Sequence, residues 1–182
     1  RPLDNAHPLL RDAEFDIRGR IPAGGQCRTG AGFEGSCRRR SAAASSEGGV
    51  WFPQEGPLEF EPLRNRLLAR TPSCLQGICV PDRIPAEFWQ SPKEALDRMK
   101  AVAAHYGEFT GAPSSPSTNP LLVHKGWYWV EVLPFDIAAP MPAGAEDLRP
   151  DAGNPYIYRI TAMAEGHKPS TRAVLQSLLV HK

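Results

Sequence analysis

Hydrophobic positions recur along this chain with two different periods. In the opening stretch, RPLDNAHPLLRDAEFDIRG, Leu3, Ala6, Leu10, Ala13 and Ile17 fall at steps of three and four, with Arg11, Asp12, Glu14, Asp16 and Arg18 between them. That spacing predicts an amphipathic helix over 3–18 with one apolar stripe to bury, ended by Gly19. Pro8 suits a first turn best, so either the regular helix starts near His7 or a longer one bends there. The same period returns in SPKEALDRMKAVAAHYGEF, where Ala95, Met99, Val102 and Tyr106 repeat. This predicts a second helix over 91–110, with Ser91 as N-cap, Pro92 in the first position and Glu94 three residues on.

After residue 120 the period changes to two. WYWVEVLPF predicts a strand with Tyr128, Val130 and Val132 on one face and Trp127, Trp129, Glu131 and Leu133 on the other. YIYRITAMA and RAVLQSLLV come next, joined by EGHKPST closely enough for a hairpin. Between the helices, residues 19–50 hold almost no large apolar side chain and predict loop. Residues 51–70 carry Trp51, Phe52, Leu58, Phe60 and Leu63 among prolines and predict coil packed on the domain, with a helical turn at Leu67 and Leu68. QGICVP predicts a short strand. The order is helix, long connection, helix, antiparallel sheet, which defines an α+β domain with its helices on one side. The boundaries are 1–18 for the first helix, 19–90 for the connection, 91–110 for the second helix and 127–180 for the sheet, in one domain over 1–182.

Composition adds a constraint at the cysteines. Cys27 and Cys37, then Cys74 and Cys79, form two pairs close in sequence, with glycines in both intervals. Pairing within each closes two short loops. Neither spacing is the C-x₂-C knuckle of a zinc site or the C-x-x-C of a redox motif, so disulfides lead, with zinc and free thiols as alternatives. Disulfides imply an exported protein in the periplasm or outside the cell, with any export signal removed or upstream. The net charge of +1 gives no global attraction to nucleic acid or anionic membrane. No apolar run approaches the ~20 residues of a membrane span.

No catalytic constellation emerges. Phosphate-binding glycine motifs and the nucleophile elbow are absent. His7, His105, His124, His167 and His181 are scattered without metal-ligand spacing. Asp147, Asp151 and Asn154 offer oxygens in DLRPDAGN but lack the calcium-loop pattern, so a solvated turn is the simpler reading. No cofactor, metal or catalytic residue is expected. Two features are candidate contact sites: Arg38, Arg39 and Arg40 on the glycine-rich loop, and Trp127 with Trp129 if the loop leaves their face uncovered. Glu131 and Arg159 can pair across neighbouring strands, for well under ~1 kcal/mol.

LLRDAEFDIRG, QGICVP, YGEFTG, VEVLP and YRITAMAEG…RAVLQS, in this order from residue 9 to 177, together resemble the minor pilins of type IV pili, of the PilX type. Residues 20–70 carry little of the likeness. The resemblance implies a type IV pilin-like fold: an N-terminal helix packed on an antiparallel β-sheet, with a long disulfide-bonded connecting loop and a second helix. It implies that Leu9, Leu10, Ala13 and Ile17 belong to the half-helix docked on the sheet, and that Glu131, Arg159, Thr161, Leu175 and Gln176 are scaffold positions. It also implies a hydrophobic first half of that helix, absent here, which holds a pilin in the inner membrane before assembly. Major pilins often close a C-terminal loop with a disulfide; here all four cysteines precede residue 80.

The function implied by the resemblance is that of a non-enzymatic minor pilin, which primes pilus assembly from the tip and supports twitching motility and surface adhesion. Its implied partners are other minor pilins, the major pilin and a tip adhesin. Its implied location is the inner membrane facing the periplasm, then the extracellular pilus. A pseudopilin of type II secretion shares the fold, and a surface module binding a ligand or DNA is the alternative of a different class. A basic leader, a processing site and roughly 20 apolar residues upstream of Arg1 are the features expected of a pilin precursor.

Overall fold

The computed structural model describes residues 2–20, 22–24, 39, 50–53, 56–113, 125–168 and 170–182. Among these residues, besides short 3₁₀ turns, are three α-helices and a five-stranded sheet: α1 (Pro2–Arg18), α2 (Gly56–Leu68), β1 (Cys74–Leu75), β2 (Ile78–Cys79), α3 (Lys93–Ala101), β3 (Gly126–Pro134), β4 (Tyr156–Glu165) and β5 (Arg172–Val180). The fold is α+β, and the strands lie in chain order across the sheet. β3, β4 and β5 form an antiparallel meander, with Val130 opposite Ile160 and Ile160 opposite Ser177. The sheet is not wholly antiparallel, because β2 runs parallel to β3, pairing Ile78 with Val130 and Cys79 with Glu131.

The sheet is covered on both faces, whereas the sequence pattern predicts helices on one. β3 explains this: every residue from Gly126 to Val132 is buried, so neither face can be left to water. On one face α1 and α2 bury Ala6, Leu9, Ala13, Ile17, Phe60, Leu63 and Leu67 against Tyr128, Val130, Tyr158 and Ile160. On the other, Phe88, Leu96, Met99 and Ala103 cover Trp127, Trp129, Met163 and the Cys74–Cys79 disulfide. The ring of Phe88 meets that of Trp129 edge-on at 4.7 Å, and the indole N–H of Trp129 donates to the Met99 carbonyl at 2.9 Å.

Several boundaries differ from the sequence-based expectation. Residues 56–68 are a 13-residue helix, not coil, despite Pro62. Proline costs a helix one hydrogen bond and a steric clash; here Phe60, Leu63 and Leu67 offset that loss by burying one side against the sheet. α1 runs unbroken through Pro8. α3 is shorter than 91–110: it starts at Lys93 after an N-cap at Pro92, with no side-chain cap from Ser91, and ends at Ala101. The chain leaves the helix there because Ala104 pairs with Tyr128 as an isolated β-bridge.

The β1–β2 hairpin shows how tightly this edge is built. Gln76 and Gly77 both have positive φ, 51° and 79°, the requirement of a two-residue turn whose twist matches the strands. Gly77 donates to the Val102 carbonyl at 2.7 Å and accepts from Val130 at 2.6 Å. A Cβ at Gly77 would lie 2.7 Å from the Ala104 Cβ and 2.8 Å from its nitrogen, whereas one at Gly144, with φ of 83°, meets nothing within 4 Å. Gly77→Ala therefore combines left-handed strain with a backbone clash and should cost more than about 3 kcal/mol, against about 1 kcal/mol for Gly144→Ala. Urea unfolding of the two variants checks the contrast; equal losses would refute it.

Candidate functional site

The first helix presents two chemically distinct faces, and the inner one carries charge. Its buried positions are Asn5, Ala6, Leu9, Asp12, Ala13, Asp16 and Ile17, the i, i+3, i+4 stripe of one helix face. Two aspartates thus lie inside the interface rather than among the outer polar residues. Asp12 accepts the backbone N–H of Gly107 at 2.7 Å on one oxygen and the Thr110 hydroxyl on the other. Thr110 is held in turn by the Ala112 N–H at 3.1 Å. One turn on, Asp16 accepts the Tyr128 hydroxyl at 2.8 Å, which ties α1 to the central strand.

Arg39 completes this cluster. Its Nε stands 3.4 Å from Asp16 Oδ1, an ion-pair contact, and its guanidinium lies 3.5 Å from the Phe109 ring centroid and 5.2 Å from that of Phe52. A buried arginine between two aromatic faces gains cation–π attraction that partly offsets its lost hydration. Burial raises Asp16 above the usual carboxylate range, with Arg39 and the Tyr128 hydroxyl pulling it back. Burial pushes Asp12 up to about 6 despite its hydrogen bonds from Thr110 and Gly107. It also drives the Tyr128 phenol well above its ordinary value, with Asp16 adding to the effect. Asp12 is 2% exposed, and both its oxygens already accept protein donors, so this carboxyl fastens a helix rather than meeting a substrate.

The outer face of α1 is shaped differently. A groove of about 430 Å³ runs along it, lined by His7, Leu10, Arg11, Glu14, Phe15, Arg18 and Arg20. A second, of about 350 Å³, shares His7, Arg11 and Phe15 and reaches Asp12, Tyr106 and Ala112 at the flank of the buried face. Leu10 and Phe15 are only half-buried in this surface. α1 is therefore locked on one side and presents a partly apolar, basic surface on the other.

The residues singled out by sequence divide as follows. Ala6, Ala13 and Ile17 sit fully buried in the core beneath the sheet, and Leu10 lies at the rim. Leu3 does not dock: it is 51% exposed, because the buried face runs through Asn5, Ala6 and Leu9 and turns Leu3 outward. Arg39 is not a solvated contact residue, since Asp16, Phe52 and Phe109 enclose it. Trp127 and Trp129 are not an exposed patch either, and the segment over them is 84–103 rather than the long loop. Cys27, Cys37, Arg38 and Arg40 lie outside the described residues. Cys74 and Cys79 form a disulfide across the β1–β2 hairpin. Asn154 is not in a solvated turn but buried: its carbonyl accepts the Tyr158 hydroxyl at 3.1 Å and its amide donates to the Pro53 carbonyl at 3.4 Å. Glu131 and Arg159 do pair, through two hydrogen bonds of 2.6 and 2.7 Å. Asp12, Asp16 and the role of Arg39 escape a sequence reading that assigns charges to the solvent face. The available signal was their position beside Leu9, Ala13 and Ile17 on one stripe.

α1 is thus fastened to the sheet and the 107–110 turn on its inner face, and among the described residues it carries a groove on its outer one. The chain belongs to the PilX family: the family model described as type IV pilus assembly protein PilX C-term matches residues 38–181. It is thus a component of type IV pilus assembly, acting with other components of the pilus in the cell envelope. Neither a curated protein nor a solved structure matches the chain. Among the described residues, no helix is long and apolar enough to cross a membrane.

The Asp12 environment sets a pH dependence. Its native pKa of about 6 lies above the ordinary 3.8, so between those values the folded chain holds a proton that the unfolded chain has released. Stability from this group is complete below about pH 4 and is lost as pH rises through about 6, by roughly 2–3 kcal/mol. Asp12→Asn can still accept from Gly107 and donate to Thr110. Unfolding midpoints of the two proteins should diverge across this range, with the wild type falling relative to the variant; parallel profiles would exclude the assignment.

Proposed function

We propose that this chain is a minor pilin, a non-enzymatic subunit that primes type IV pilus assembly and sits at the pilus tip. The observation that carries this reading is the family match over residues 38–181 together with a first helix clamped on its inner face and grooved on its outer one. A pilin-like fold makes sense of that division. The inner carboxylates hold the head to the helix, and the outer groove receives the helix or head of the next subunit. Head-to-tail contacts that do not close on themselves build a filament rather than a ring. In this reading the partners are other minor pilins, the major pilin and a tip adhesin. The subunit waits in the inner membrane facing the periplasm and then enters the extracellular pilus, where it supports twitching and adhesion.

The match to a pilus assembly model favours this reading over a pseudopilin of type II secretion. Arg39, Trp127 and Trp129, the described residues singled out by sequence for a DNA or ligand contact, are buried. Deleting the gene in its host should leave few or no surface pili and abolish twitching, with both restored by the intact gene. Electron microscopy and a subsurface motility assay check this. Normal piliation and motility in the deletion strain would overturn the priming role.

A further inference from the structure

The two ends of the sheet carry opposite charge, and one holds a recess. At the β4–β5 turn a cavity of about 150 Å³ is lined by Lys125, His167, Lys168, Thr171 and Arg172 among others. Glu165, the acidic residue in that lining, is ion-paired to Lys100 at 2.6 Å. Lys125 reaches the Gly166 carbonyl and Arg172 that of Trp89, and neither carbonyl cancels a charge. The recess is therefore a cationic pocket with a hydroxyl in its wall, suited to a carboxylate.

The opposite end is built from the β3–β4 connection, residues 135–155. Asp136, Glu146, Asp147 and Asp151 are all exposed there. The connection is firmly held: Arg149 donates to the carbonyls of Ile137 and Ala139 at 2.7 and 3.1 Å and lies over the Phe135 ring. Glu146–Leu148 form a 3₁₀ turn that offers two carboxylates beside Leu148, itself 42% exposed. Two cations lie near, Arg149 within the connection and Lys182 beside it, where the Asp151 N–H bonds the His181 carbonyl; the four carboxylates of Asp136, Glu146, Asp147 and Asp151 outnumber them. The register of β3 on β4 places this connection and the β4–β5 turn at opposite ends of nine-residue strands, about 30 Å apart.

We propose that the cationic recess receives the Glu146–Asp147 turn of a second copy of this chain. Charge complementarity selects that occupant: the turn is exposed, held by the Arg149 hydrogen bonds and opposite in sign to the recess. Because the two surfaces differ and lie at opposite ends, the contact is heterologous and links copies head to tail along the strand direction. This rests on the chain being an assembly subunit, and adds which surfaces meet.

The test is sedimentation velocity of the 182-residue chain across a concentration series. Association should appear at about 0.01 M salt, where charges act over about 30 Å, and vanish at about 1 M, where they act over about 3 Å. Glu146→Lys/Asp147→Lys alone and His167→Glu/Lys168→Glu alone should each remain monomeric at low salt, because each places like charges in contact. Mixed one to one, the two variants should associate again, because the intact recess of the first meets the intact turn of the second and the two reversed surfaces also match in sign. A wild-type chain that stays monomeric at low salt, variants that associate singly, or a mixture that stays monomeric would each overturn the proposal. A piliation defect on gene deletion alongside any of these would leave the assembly role standing and remove only this contact.

Discussion

The burial of two aspartates on α1 is the constraint around which the rest of the domain is arranged. An isolated buried carboxylate is too costly to persist, so each must be met by donors from elsewhere in the chain. Asp12 draws in the Gly107–Thr110 turn, nearly a hundred residues away. Asp16 requires the Tyr128 hydroxyl and the Arg39 guanidinium, which brings the central strand and one point of the long connection to the same place. Apolar packing of Ala6, Leu9, Ala13 and Ile17 holds α1 on the sheet but is non-directional. Two carboxylates one turn apart, each with its own partners, fix both its rotation and its height.

The sheet is organised by a different necessity. β3 is buried on both faces, so it needs cover from two directions, and the two helical layers differ in character. The α1 side is aliphatic and aromatic with polar anchors at its heart. The α3 side is a compact aromatic and sulfur cluster around Trp129.

Much of this is legible in the amino-acid order. The period-two run through WYWVEVLPF and YIYRITAMA assigns the correct residues to each face, since alternation in a strand is geometrically strict. Short connections suffice to give the β4–β5 hairpin and the Cys74–Cys79 pairing. α2 is not legible, because prolines at 57 and 62 speak against a helix and only tertiary burial of Phe60, Leu63 and Leu67 reveals it. Leu3 and the two aspartates are misassigned for one reason: on a 3.6-residue period several neighbouring stripes fit, and the most apolar one attracts the assignment. The true stripe lies one residue aside and includes charges whose partners are distant in sequence. Arg39 illustrates the same limit, since nothing local distinguishes it from an arginine facing water.

The Gln76–Gly77 turn has a consequence for the sheet as a whole. Along the outer edge of β3, Val130 donates to Gly77 and Tyr128 exchanges both backbone hydrogen bonds with Ala104, while Ile78 and Cys79 continue the pairing. A hairpin of two-residue strands and a single bridging alanine thus occupy the donors of a long, apolar central strand. That edge is capped against addition of a foreign strand, the usual hazard of an exposed β-ribbon. At the other border, β5 runs from Arg172 to Val180 without an internal charge, and no described backbone group bonds its outer side. Among the described residues the two borders therefore differ: the edge of β3 is paired, and the outer side of β5 has no backbone partner.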